Sequence, residues 1–270
     1  LKEFEYDGVT RVEVSKRFPA FPVNFYFVDG LLIDTGNAIC AYESYAYLSR
    51  RGLLPHTIVN THYHPDHSGA NAFFQDRFGA SLYAHRLGIP KLAYPKKMFL
   101  FSQLLHGTPE PSIAQEIPRL LETPNFTFDV IEIPGHCDDH IALYERQEKW
   151  IFTGDLVFEG RAREVNVDTR IYDALESFRK ISRLDIETLF GGHGEPLRNP
   201  RDLILSKIEF FEELGRRVEE LRGEGLNRIQ IRKKIFGRER MIAYLCEMKF
   251  SSQNLVDSYL QYESNGNPPP

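Results

Sequence analysis

Long apolar runs are missing from this 270-residue chain. Uninterrupted stretches such as residues 98–101 fall far short of the ~18 needed to span a bilayer. A membrane role through a spanning helix is therefore not expected. Cysteine is scarce. Cys40, Cys137 and Cys246 are too few and too scattered for a disulfide framework, so a reducing, cytoplasmic setting is the expectation. An excess of one charge is also missing: 33 Lys and Arg oppose 38 Asp and Glu, for a net charge of −5. With an isoelectric point near 6.0, nothing pulls the whole chain toward nucleic acid or anionic lipid. No period of 20–50 residues repeats, which excludes solenoids and propellers. Leu1-Lys2-Glu3-Phe4 lacks a basic region followed by an apolar one, so no secretory leader is expected at this end, which begins without Met. What is present is ordinary for a globular protein: 42% hydrophobic and 26% charged residues argue against wholesale disorder. A chain of this size buries roughly 70–75% of its unfolded surface, enough for a core without staples.

The patterning alternates strands and helices. Residues 24–28 and 31–34 are apolar runs joined by Asp29-Gly30, the signature of a hairpin. A helical pattern over residues 41–51 is closed by Gly52, and a second over 70–78 by Gly79. Residues 57–60, 81–84, 126–133 and 188–190 read as strands, and 141–144 with 150–153 as a second hairpin. Residues 174–184 are helical. Hairpins mixed with helices predict an α+β fold, an αββα sandwich of two mostly antiparallel sheets. From Pro200 the pattern is helical only: 203–221, 228–236, 239–248 and 253–261. The expected organisation is a catalytic domain over residues 1–200, a helical appendage over 201–264 and a disordered tail over 265–270. An insertion at 91–121 joins a basic start to an apolar patch, and reads as core packing, a lid or a homodimer contact.

The strongest signal is Thr61-His62-Tyr63-His64-Pro65-Asp66-His67. It sets four metal-ligating side chains in six residues directly after a buried strand, where a loop can aim them at one point. Neutral imidazole suits zinc and iron, and a carboxylate adds charge compensation. Further donors follow three other strands: His136 after Pro134-Gly135, Asp155 after Gly154, and His193 after Gly191-Gly192. Seven donors exceed one tetrahedral ion and suit two divalent ions ~3.5–4 Å apart.

This H-x-H-x-D-H pattern, followed in order by His, Asp and His, resembles the metallo-β-lactamase superfamily. The resemblance implies that His62, His64 and His136 hold one metal, that Asp66, His67 and His193 hold the second, and that Asp155 bridges both. It implies zinc as the usual metal, with iron or manganese as rivals. Asp34 stands where the family fold supports the metal loop, and either orients a histidine or caps a turn. His140 matches a frequent second histidine of the family, with a supporting rather than ligating role. Cys137, beside a ligand, reads as a small buried hydrophobe, and His56, His85 and His106 as ordinary.

Departures from the pattern narrow the branch. True β-lactamases often place Cys, or no bridging ligand, where Asp155 stands. The lactonase tyrosine is missing from Asp155-Leu156-Val157-Phe158. The large nucleases carry an extra domain, and flavodiiron proteins have Glu in place of His64. What remains is similar to the glyoxalase-II-like and lactamase-like endoribonuclease branch, whose His-Thr-Asp-Asp-His segment resembles His136-Cys137-Asp138-Asp139-His140. The expected activity is a binuclear, zinc-dependent hydrolysis of an ester or thioester by a metal-bridging hydroxide, with Asp66 orienting it or accepting a proton. The rivals are a metal-dependent ribonuclease or phosphodiesterase and a mononuclear iron sulfur dioxygenase. Residues 216–240 hold nine Lys or Arg against four Asp or Glu. They form a solvated face or bind the anionic tail of a small-molecule substrate; nucleic acid is not favoured.

Overall fold

The computed structural model describes residues 1–15 and 22–261. The expected disordered tail, 265–270, and the end of the appendage at 264 lie outside the described residues. The chain divides into two compact units that interleave along the sequence. One comprises residues 1–132, 139–158 and 185–199; the other takes 133–138, 159–184 and the chain from Pro200.

The first unit holds two sheets. Seven strands follow one another across the first sheet: β1 (Lys2–Tyr6), β2 (Val9–Val14), β3 (Val23–Val28), β4 (Leu31–Ile33), β5 (Thr57–Val59), β6 (Ser81–Ala84) and β7 (Ala114–Glu116). The second contains β8 (Leu120–Glu122), β9 (Thr127–Glu132), β10 (Ile141–Glu145), β11 (Trp150–Gly154), β13 (Thr188–Gly191) and β14 (Leu197–Arg198), in the order β14-β13-β11-β10-β9-β8. The Asp29-Gly30 hairpin forms as expected: Val28 pairs with Leu31, and both turn residues take positive φ, 51° and 81°. That backbone twist matches the twist of the flanking strands.

The mostly antiparallel expectation needs correction for the first sheet, where β4, β5, β6 and β7 run parallel. Helices α1 (Ala41–Arg51), α2 (Pro65–Ser68) and α3 (Asn71–Phe78) separate β4, β5 and β6, two further short helices separate β6 from β7, and a chain that crosses over through a helix returns in the same direction. The insertion holds several short elements. It carries α4 (Ile89–Ala93), α5 (Leu100–His106) and the edge strand β7.

Strand alternation sorts the core. Leu31 and Ile33 of β4 face the second sheet and meet Phe128, Leu143, Phe152 and Phe190. Leu32 points the other way, into a layer with Leu48 of α1 and Phe74 of α3. The Phe152 and Phe190 rings stack at 4.7 Å between centroids.

The second unit is mainly helical: α6 (Ile171–Ile181), α7 (Arg201–Gly223), α8 (Arg228–Phe236), α9 (Met241–Leu245) and α10 (Ser252–Leu260), with the short pair β12 (Val165–Asn166) and β15 (Phe250–Ser251). Helix α9 is shorter than its sequence pattern, because Glu247 and Met248 take left-handed φ values of 49° and 63°. The architecture is a mixed α/β sandwich with additional C-terminal helices α7–α10. Among the described residues no helix is long and apolar enough to cross a membrane.

Phe152 is 1% exposed at the centre of the inter-sheet core. Phe152→Ala should cost roughly 3–5 kcal/mol of stability, since it removes a large ring and leaves a cavity. Denaturant unfolding of the two proteins with metal content matched checks this.

Candidate metal centre

The metal loop leaves the buried strand β5 and enters α2 through Pro65, whose fixed φ suits a first helical turn. Asp34 sits opposite, just past β4, with a positive φ of 61°. For a non-glycine residue this backbone is uncommon and mildly unfavourable. Its buried carboxylate accepts the Thr61 N–H at 2.8 Å, the Thr61 hydroxyl at 2.8 Å and the His67 Nδ1–H at 2.8 Å. Those three bonds hold the backbone between β5 and α2 and leave His67 Nε2 as the ligating nitrogen. The Thr61 hydroxyl is also 3.0 Å from His62 Nδ1, which turns His62 Nε2 toward His64 Nδ1, 3.1 Å away. His140 is 1% exposed and lies with its ring centroid 4.7 Å from that of His62. Gly154 permits this packing, since a Cβ there would come within 2.6 Å of both His140 Nε2 and Thr61 Oγ1.

Four donors converge within the first unit. Potential ligand atoms of Asp66, His67, Asp155 and His193 all lie within 4.8 Å of one another. Asp155 Oδ1 is 3.1 Å from His67 Nε2, while its Oδ2 is 3.2 Å from His193 Nε2. Asp66 Oδ2 stands 3.9 and 3.8 Å from the same two nitrogens. The His193 Nδ1–H donates to Pro22 O at 2.6 Å, so Nε2 again faces the cluster. A Cβ on Gly192 would overlap Asp155 Oδ1 and come within 2.6 Å of His67 Cε1. The gap between the donors therefore depends on a glycine. His136 lies in the second unit, where its carbonyl accepts the Thr169 hydroxyl at 3.3 Å.

The electrostatics describe a cradle for positive charge. Burial opposes an imidazolium at His67, but Asp155, Asp34 and Asp66 outweigh it and raise the pKa well above the ordinary value. At His193, burial is again outweighed, chiefly by Asp155, and the pKa rises to about 9. The carboxyls move the opposite way. Burial would raise Asp66, yet His67 and His106 bring it to about 2, and Asp155 is pulled well below its usual range by His193 and His67. Two carboxylates and protonated imidazoles at one point are the charge pattern that divalent cations replace. The donors fit a binuclear divalent-metal centre.

Two contributors escaped the sequence reading. His106 ends α5, and Gly107 packs against Ile39, where an added Cβ would come within 2.8 Å of Cγ2. Burial lowers the His106 pKa, and Asp66, His67, His193 and His64 are the charges acting on it. Lys91 of α4 pairs with the buried Asp139 at 3.2 Å and lies 4.1 Å from the Tyr63 ring centroid, between the first two loop histidines in sequence. A lone His or Lys in an apolar insertion has no ligand spacing to reveal it. Cys137 is a buried thiol, as expected.

Metal binding should release protons. With its pKa raised to about 9, His193 is protonated at pH 7 in the metal-free protein and must lose that proton to ligate. Apparent metal affinity should therefore rise from pH 7 toward 9, by about tenfold per unit per displaced proton. Zinc titration calorimetry in buffers of different ionisation enthalpy checks the proton count. Gly192→Ala should leave the fold intact and lower the bound metal from two equivalents toward one, as read by elemental analysis beside far-ultraviolet circular dichroism.

Comparison with known proteins agrees with this geometry. A model of the metallo-β-lactamase superfamily matches residues 18–193. The hydroxyacylglutathione hydrolase GloC of Haemophilus influenzae is 27% identical over 151 residues, covering 51% of this chain and 68% of that protein. The hydroxyacylglutathione hydrolase of Rhizobium meliloti is 28% identical over 187 residues, 66% of this chain and 64% of that protein. The chain thus spans about two thirds of the length of these two relatives. The metallo-beta-lactamase family protein TTHA1429 from Thermus thermophilus superimposes with a TM-score of 0.73 over 95% of this chain and 94% of that one, at 21% identity, a likeness of fold. With a match that runs from residue 18 through His62 to His193, this chain belongs to the metallo-β-lactamase superfamily.

Proposed function

We propose that this protein hydrolyses a thioester of a small acyl group, with a carboxylic ester as the nearest alternative. The convergent donor set and the family make it a metal-dependent hydrolase. The observation that carries the reading is the convergence of Asp66, His67, Asp155 and His193, whose potential ligand atoms all lie within 4.8 Å of one another. The thioester preference rests on the two hydroxyacylglutathione hydrolases that the chain resembles.

In this reading His62, His64 and His136 would hold one ion, Asp66, His67 and His193 the other, and Asp155 would serve both. Zinc is the preferred metal for these imidazole-rich donors, ahead of iron and manganese. When bound, the ion pair supplies a water acidic enough to ionise near neutral pH and positive charge for an oxyanion. The protein groups do the rest. Asp34 holds the His67 ring by its Nδ1–H, and Pro22 O does the same for His193. Asp66 stays ionised near neutral pH and can orient the water or take its proton. Residues 1–200 would form the catalytic region and 201–264 the helical appendage, whose basic stretch at 216–240 suits an anionic substrate tail.

Asp155→Asn keeps the shape and loses the charge and one good oxygen donor. It should weaken the metal pair and lower kcat by several orders of magnitude near pH 7. The measurement is metal content and turnover against a hydroxyacyl-glutathione thioester, an ester, a lactone, a phosphodiester and single-stranded RNA. Wild-type protein should hold two metal equivalents and prefer the thioester by at least tenfold in kcat/KM. A single iron unchanged by added zinc, or preferred cleavage of the phosphodiester or RNA, would overturn the proposal.

A further inference from the structure

The segment that presents His193 is Gly191-Gly192-His193-Gly194-Glu195. Three glycines in five residues give it little conformation of its own. Gly192 cannot be replaced to stiffen it, because a side chain there would enter the space between the donors. Some other part of the molecule must hold this backbone still.

Three side chains of the first sheet do so. The Tyr26 hydroxyl donates to Gly191 O at 2.6 Å. The Asn24 amide reaches Gly191 O at 3.2 Å and Gly194 O at 2.8 Å, and the Asn24 N–H donates to Gly192 O at 2.7 Å. Arg11 donates to Gly194 O at 2.8 Å and pairs with Glu195 at 2.7 Å. Thus the carbonyls of 191, 192 and 194 are all taken by residues far away in sequence. Arg11 has no exposed surface, and its guanidinium lies 4.1 Å from the Phe4 ring centroid. Burying a whole guanidinium is costly unless its bonds are well made, so this placement needs a reason beyond filling space.

The second group of donors supplies one. Asp66 and His67 come from α2, after β5 of the first sheet; Asp155 and His193 follow β11 and β13 of the second. A metal held by all four spans two sheets, and its bond lengths tolerate errors of only about 0.2 Å. The two sheets must be registered at that point, not only on average.

We propose that Arg11, Asn24 and Tyr26 are positioning residues that set the affinity of the metal held by Asp66, His67 and His193, by clamping the His193 backbone to the first sheet. The inference rests on the binuclear reading above. Asn24→Ala removes both amide bonds, and Tyr26→Phe removes one bond without changing the ring. Arg11→Met removes two, with Arg11→Lys as the conservative partner.

The test is metal release from the full-length zinc-loaded protein into a chromogenic chelator, followed by stopped flow. Wild type should release two equivalents, and failure of that count would sink the binuclear reading rather than this one. In Asn24→Ala and Tyr26→Phe one equivalent should leave at least tenfold faster while the other keeps its wild-type rate. Arg11→Met should behave likewise, with the rate partly restored in Arg11→Lys. If Arg11→Met does not fold, the Asn24 and Tyr26 variants decide. Unchanged release of both equivalents in folded variants, or equal acceleration of both, would overturn the proposal, because a general loss of stability does not choose between sites.

Discussion

The Asp34 carboxylate is the contact on which the donor set depends. It sits past the end of a buried strand, in a backbone conformation that few residues accept, and ties Thr61 and His67 together. A carboxylate that accepts three bonds in a dry site is strongly held, and each bond to it is stronger than a neutral one. Through Thr61 the same group reaches His62. One buried charge therefore sets the orientation of two histidines with opposite places in the cluster.

The remaining donors are positioned by absence of side chains as much as by presence of bonds. Gly154 lets the end of β11 close on His140 and Thr61, and Gly192 keeps the space beside Asp155 open. Around them, strand ends from two different sheets converge. The alternating core makes the sheets stack, but a core of Phe152, Phe190 and their neighbours is tolerant of small slides. The polar bonds of Arg11, Asn24 and Tyr26 are directional and are not. This division of labour, apolar packing for the layers and hydrogen bonds for the register at the site, is a general answer to placing ligands on separate sheets.

The insertion between β6 and β8 acts on the site as well as on the sheet. Its strand β7 extends the first sheet. Lys91 neutralises Asp139, next in sequence to His140, and covers Tyr63 of the metal loop. His106 adds a further imidazole to the field around Asp66 and helps keep that carboxyl ionised. An insertion with an apolar patch thus also brings Lys91 and His106 to the metal loop.

The sequence by itself determined the parts with short-range causes. The Asp29-Gly30 hairpin, the glycine ends of α1 and α3 and the apolar run of β4 follow from turn chemistry and side-chain pattern, which span a few residues. The donor loop was legible for the same reason, since four ligands within six residues leave few other uses. Only the tertiary structure decided what lies between distant segments. Asp34 meets Thr61 across 27 positions, and Asn24 meets Gly194 across 170. An Asp after a strand, an Asn in a strand or a His at the end of a short helix carries no local mark of such a partner. The parallel half of the first sheet belongs to the same class, because strand direction depends on where each helix returns the chain and not on the strand's own residues.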